Sequence, residues 1–299
     1  MPGYWSFTFS VIRVLLSNKK LFLGLLLFYV TLGAVFVGLS SQGTYAQLSS
    51  LLDDTSGGVL EGGWGSFGQA GLLLLSGISG SFSPQLTDAQ QIYSALILLL
   101  TWLTAVWLLR VILAGKKPRL RDGLYNAGGP IVATGIVFLL VLVQLLPAAI
   151  GVIIFSSAMT TNLFETGFIA MMISIVVGLL IVASLYWVVS GMLAMIVVTL
   201  PGMYPWRAIR TAGDMAIGRR IRILLRILWM LLIGFISWIV VLLPVIVLTR
   251  SLEKVLPFIQ SVPIVPVFMA CMSSLVVVWS ATYMYVLYRK IVEDDAKPA

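Results

Sequence analysis

Residues 168–200 read FIAMMISIVVGLLIVASLYWVVSGMLAMIVVTL, 33 positions without one Asp, Glu, Lys or Arg. A helix needs about 20 mostly apolar residues to cross the hydrocarbon core of a bilayer, so this stretch predicts a membrane-spanning helix. The chain then changes character. Residues 201–226, PGMYPWRAIRTAGDMAIGRRIRILLR, carry six arginines before apolar sequence resumes.

Working outward, five more stretches have the same quality, at 21–40, 92–114, 130–156, 221–249 and 263–288. Their apolar residues are continuous rather than alternating, which argues against strands as the spanning element. The reading is an all-α integral membrane protein, one membrane domain over 1–299 with six transmembrane helices. A Gly/Ser-rich external loop spans 41–91 and a cytoplasmic tail spans 291–299. Within that loop Ala70–Leu75 is apolar but too short to span, which suits a re-entrant or interfacial segment. Asp53, Asp54 and Glu61 lack the spacing of an EF-hand.

Composition agrees and removes chemistries. The chain is 60% apolar and 10% charged, against about 45–50% and 25% for a soluble domain. It has no histidine, hence neither the commonest general base nor the commonest zinc ligand. Its one cysteine, Cys271, lies in an apolar run and makes no internal disulfide, redox pair or cysteine-rich metal site. No catalytic residue, metal ligand or cofactor site is read from the sequence.

The charges set direction. Of 19 Lys and Arg residues, 17 lie on one side: 14 fall before span 1, after span 2, after span 4 or after span 6, and Arg110, Arg222 and Arg226 stand at the adjoining span ends. Only Arg250 and Lys254 fall on the other side, with six of the acids. By the positive-inside rule both termini are cytoplasmic, in a plasma membrane. The positive balance follows membrane boundaries and does not signal nucleic acid. Span 1 is preceded by nearly 20 residues and exceeds the 7–15 of a signal-peptide core, so it reads as an uncleaved span.

Short amphipathic helices are expected on the cytoplasmic side before the odd-numbered spans. In 5–18, Ser6, Ser10, Arg13 and Ser17 share one stripe, and Trp5, Phe9, Ile12 and Leu16 share another. Pro118 opens a second segment, with Leu120, Leu124 and Ala127 on one face. Pro205 opens a third, with Ala208, Ile209, Ala212, Met215 and Ala216 on its apolar side and Arg207, Arg210 and Asp214 on its polar side. Pro205, Trp206, Arg207, Arg210, Arg219, Arg220, Arg222 and Arg226 are the candidate contacts for anionic lipid headgroups or a cytoplasmic protein partner.

Two hairpins resemble each other. Val143 to Pro147 in span 3 matches Val240 to Pro244 in span 5, 97 residues later. Phe168 to Val177 and Phe268 to Val277 are identical at six of ten positions, 100 residues apart. A Gly-x-x-Pro recurs after the even spans, at Gly115–Pro118 and Gly202–Pro205. Shared order and near-equal offsets read as a parallel hairpin repeat. Intramembrane ionisable residues are absent from the span centres, which leaves Gln144 as the most polar side chain at mid-depth. Gln144, Pro147 and Pro244 form the candidate mid-membrane polar site and kinks, and Ser184 reads as a small packing residue.

Trp5 to Gly24, together with Pro205 to Leu224, resembles the six-helix prokaryotic membrane proteins related to the membrane domain of glycerophosphoryl diester phosphodiesterases. The resemblance implies architecture; no stretch here corresponds to the phosphodiesterase catalytic domain, and that activity is not carried over. Gly202 to Ala212 also looks like the later half of the coupling loop of ABC importer permeases. The Glu-Ala-Ala stretch and the closing proline of that loop are missing. The expectation is a non-enzymatic multi-pass protein acting through lipid or protein contacts. The alternative is a transporter or permease subunit with a path between the hairpin repeats.

Overall fold

The computed structural model of the chain describes residues 3–37, 87–160, 167–255 and 264–296. Among them every regular element is helical. The elements are α1 (Tyr4–Ser17), α2 (Lys19–Phe36), α3 (Asp88–Leu113), α4 (Leu120–Ala127), α5 (Ile131–Thr160), α6 (Gly167–Val197), α7 (Pro205–Ala216), α8 (Arg220–Val255) and α9 (Ile264–Asp295). Six of them, α2, α3, α5, α6, α8 and α9, are long and apolar enough to cross a membrane. At 1.5 Å per residue the 26 residues of α3 extend about 39 Å, more than a hydrocarbon core of roughly 30 Å. Most of the 41–91 loop, including Asp53, Asp54, Glu61 and the Ala70–Leu75 run, lies outside the described residues, as does 161–166.

Helix ends depart from the apolar counts for local reasons. α3 starts at Asp88 rather than 92, because Thr87 and Gln90 form a capping box, with Gln90 N–H donating to Thr87 Oγ1 and Thr87 N–H to Gln90 Oε1. α9 runs on to Asp295 rather than 288, and Glu293 pairs with Arg289 and Lys290 one turn back, at 3.5 and 2.8 Å. α1 and α2 are separated by Asn18 alone. Its amide donates to Val14 O at the end of α1, and its carbonyl accepts from Leu21 and Phe22 at the start of α2.

The described residues group into two compact units. One comprises Trp5–Gly128 and Met230–Tyr283. Gln90 Nε2 donates to Val37 O at 3.0 Å, joining the start of α3 to the end of α2. Deeper in the pair, Thr104 donates to Leu100 O at 2.7 Å, which uses its only hydrogen. Tyr29, 2.8 Å from Thr104 Oγ1, is therefore the donor of their shared bond. α4 lies against α3 at Gly123, where a Cβ would stand 2.9 Å from Leu108 Cδ2. In the later part of this unit Trp238 and Leu242 of α8 form a buried cluster with Val265, Met269 and Met272 of α9. Trp279 Nε1 donates to Met230 O at 3.3 Å, and Phe7 of α1 meets the Tyr283 ring edge-on at 4.9 Å.

The other unit comprises Met1–Tyr4, Gly129–Trp229 and Met284–Ala299. Its centre is the α5–α6 pair, on which α7 is seated. Two turns hold α7 in place. At its far end Ile217 has φ −57° and ψ 133°, Gly218 has φ +75°, and Arg219 N–H bonds Ala216 O at 3.1 Å. These are the dihedrals and bond of a type II turn, which needs a positive φ at its third residue. At its near end Pro201 and Gly202 (φ +74°) occupy the same two positions, closed by Met203 N–H to Leu200 O at 3.2 Å.

The two Gly-x-x-Pro stretches hold different turns. Gly115 caps α3, its N–H bonding Ile112 O and that of Lys116 bonding Val111 O, a Schellman arrangement. Gly202 follows Pro201 in a turn beyond the end of α6. The prolines differ as well: Pro205 is the first residue of α7, whereas Pro118 stands before the N-cap Arg119 of α4.

Two glycine-to-alanine changes near α7 should act in opposite directions. Gly218→Ala forces a side chain into positive φ and should destabilise by roughly 1–2 kcal/mol. Gly213→Ala, inside α7 with nothing within 4 Å of the new Cβ, should stabilise by up to about 1 kcal/mol. Thermal unfolding of the two variants in detergent checks the sign of each.

Candidate functional site

The basic segment is built on a stripe of alanines. Ala208, Ala212 and Ala216 recur every fourth residue of α7 and are fully buried. Side chains this small let α7 approach α6 closely. The opposite side of α7 then faces outward. Trp206 is 79% exposed, Arg207, Arg210 and Tyr204 are exposed, and Pro205 is half-buried. After the Gly218 turn, Ile217, Ile221 and Arg222 are exposed as well.

The remaining arginines are engaged within the unit. Arg219 pairs with Asp295 at the end of α9. Arg220 stacks over the Tyr186 ring, 4.1 Å from its centroid, a contact worth about 0.5–1 kcal/mol where exposed. Arg226 is only 5% exposed, with its guanidinium 5.5 Å from the Tyr4 ring centre. Tyr4 in turn lies 5.9 Å from Trp229. The eight candidates thus divide. Trp206, Arg207, Arg210 and Arg222 face outward, Arg219 and Arg220 are shared with internal partners, Arg226 is structural, and half-buried Pro205 starts the helix.

The mid-membrane candidate is a packing site. On α6 Val177, Ser184 and Gly191 are buried at steps of seven, and Val198 just past its end continues the series; on α5 Val137, Gly151 and Ala158 are buried in the same register, with Gln144 half-buried between them. A seven-residue period is the seam of left-handed helix packing. Ser184 Oγ donates to the backbone carbonyl of Gln144 at 2.6 Å. The Gln144 side chain turns toward Gly191, where a Cβ would stand 2.5 Å from its Oε1 and 2.7 Å from Val141 Cγ2. That buried Oε1 has no hydrogen-bond partner. The interhelical bond of this region therefore runs through the Gln144 main chain, and Ser184 supplies it. Sequence reasoning took Ser184 for a packing residue without its hydrogen bond and missed Gly191; the signal was their seven-residue spacing opposite a proline.

Pro147 is half-buried within α5, and that helix continues through it. Pro244 belongs to the other unit, is exposed, and lies inside α8, which also continues through it. Cys271 is half-buried. Among the described residues no three His, Cys, Asp or Glu side chains gather where a metal ion could be held.

Ser184→Ala removes the cross-helix bond and should lower stability by about 0.6 kcal/mol, at most 1.7. Ser190→Ala should have no measurable effect, because Ser190 bonds Trp187 O within its own helix. Gly191→Ala overpacks the Gln144 contact and should cost about 1–3 kcal/mol. Unfolding titrations of the purified variants in mixed micelles rank the three. No family model, curated protein or solved structure matches this chain, and the six long apolar helices among its described residues make it a multi-pass membrane protein.

Proposed function

We propose that this chain is a non-enzymatic, multi-pass protein of a prokaryotic plasma membrane, with both termini cytoplasmic, that works by contact with anionic lipid headgroups. Its working surface is the α7–α8 segment. The observation that carries this reading is the pairing of Trp206 and Tyr204 with Arg207 and Arg210 on the exposed side of a helix whose other side is buried alanine. Tryptophan and tyrosine suit the headgroup level of a bilayer. Each Arg near an anionic surface adds about 1 kcal/mol of attraction.

Two other helices support it. α1 exposes Trp5, Phe9 and Leu16 along one stripe and Arg13 on another, while Phe7, Thr8 and Val11 are buried. Such a helix suits the interface plane, with its exposed apolar stripe in the acyl boundary. α4 exposes Tyr125 beside Arg121. The charge partition of the whole sequence supports the orientation, with 17 of 19 cationic side chains on the side assigned to the cytoplasm.

The double variant Arg207→Glu/Arg210→Glu should insert normally and lose at least tenfold in affinity for phosphatidylglycerol, measured by lipid retention on the purified protein. Unchanged retention would remove the lipid-contact reading. Orientation is tested by cysteine labelling. In a Cys271→Ser background, Asp88→Cys should react with an impermeant reagent on intact cells, and Asp214→Cys only after lysis. Both positions are exposed in the fold.

A further inference from the structure

The end of α9 carries three consecutive acids, Glu293, Asp294 and Asp295, and they are not used alike. Glu293 turns back to Arg289 and Lys290 of its own helix. Asp295 instead reaches outside its helix and takes Arg219. Arg219 is the last residue of the type II turn fixed by Gly218, so its backbone is held while its side chain carries the contact. Both partners stay accessible, with side chains 28% and 42% exposed. An exposed ion pair of this kind is a weak bond, open to exchange with a better anion.

The surroundings say which anion. Ile217 and Ile221 stand two residues either side of Arg219 and are 66% and 74% exposed. Apolar side chains flanking a guanidinium fit a ligand that brings acyl chain and phosphate together. A phosphate also offers an arginine two acceptor oxygens in parallel, in the charge-assisted geometry guanidinium favours.

We propose that the acidic end of α9 is an internal competitor for anionic phospholipid, and that a lipid phosphate takes Arg219 from Asp295. The inference rests on the lipid-contact reading above and deepens it. With Asp295 docked, the basic segment presents Arg207, Arg210 and Arg222; with the tail displaced, Arg219 joins them.

The test uses the full chain in mild detergent, titrated with phosphatidylglycerol or phosphatidylcholine of equal chain length, with bound lipids counted by native mass spectrometry. Asp295→Asn should raise phosphatidylglycerol affinity about two- to fivefold, the range a surface ion pair spans, and raise phosphatidylcholine affinity by less, because its choline cation offsets the phosphate charge. Asp214→Asn removes the same charge from an exposed position on α7, outside the pair, and should gain less than twofold. In an Arg219→Gln background the extra gain from Asp295→Asn should vanish. Equal gains from Asp295→Asn and Asp214→Asn, with wild type still preferring phosphatidylglycerol, overturn the competition and leave the lipid-contact reading standing. A wild type that does not distinguish the two lipids overturns both. Displacement of phosphatidylglycerol by an equal concentration of glycerol 3-phosphate would reassign Arg219 to soluble phosphates and overturn the lipid assignment.

Discussion

Inside hydrocarbon a backbone N–H or C=O finds no water, so each must be satisfied by the protein itself. A helix does this along its length and fails wherever the ladder is interrupted. The informative residues of this chain stand at those interruptions. Pro147 has no N–H, so the carbonyl of Val143 loses its donor inside α5. Ser184 of α6 donates to the very next carbonyl, that of Gln144. A hydroxyl from the neighbouring helix thus adds a hydrogen bond to the turn that the proline weakens. The end of α3 solves the same problem with the Gly115 cap, and the junction of α1 and α2 with the Asn18 amide.

Packing follows from the same solvent. Lipid tails are as apolar as leucine, so helices in a bilayer gain little by hiding leucine from them and associate through close contact and hydrogen bonds. Closeness here comes from missing side-chain atoms. Gly123 admits Leu108, Gly191 admits Gln144 and Val141, and the Ala208–Ala212–Ala216 stripe admits α6. Leucines and valines such as Leu139, Leu179 and Val182 are left facing outward, where a bilayer would receive them.

The six spans were legible in the sequence because about 20 consecutive apolar residues is a coarse signal that tolerates noise. Their ends were less legible. The start of α3 depends on one Thr–Gln pair, and the last turn of α9 carries charges that an apolar count rejects. The basic segment was legible residue by residue, but its division was not. Nothing in the local sequence marks Arg220 as stacked on Tyr186 or Arg219 as paired with Asp295, since both partners come from other helices. Ser184 looked like any small residue in a span. Its role appears only when α6 is laid beside Pro147. The repeated Gly-x-x-Pro was legible as a pattern and misleading as geometry, because the residue before the glycine is alanine at 114 and proline at 201.

The junction at Asn18 has a mechanical consequence. Ser17 ends one helix and Lys19 begins the next, with a single residue between them. Asn18 is bonded in both directions, to Val14 on one side and to Leu21 and Phe22 on the other. A joint that short stores almost no slack. Any tilt that α2 takes up to match bilayer thickness must appear at once as a change in the pitch or depth of α1. The exposed row of Trp5, Phe9 and Leu16 would then move as one blade, driven by a lever seated in the membrane.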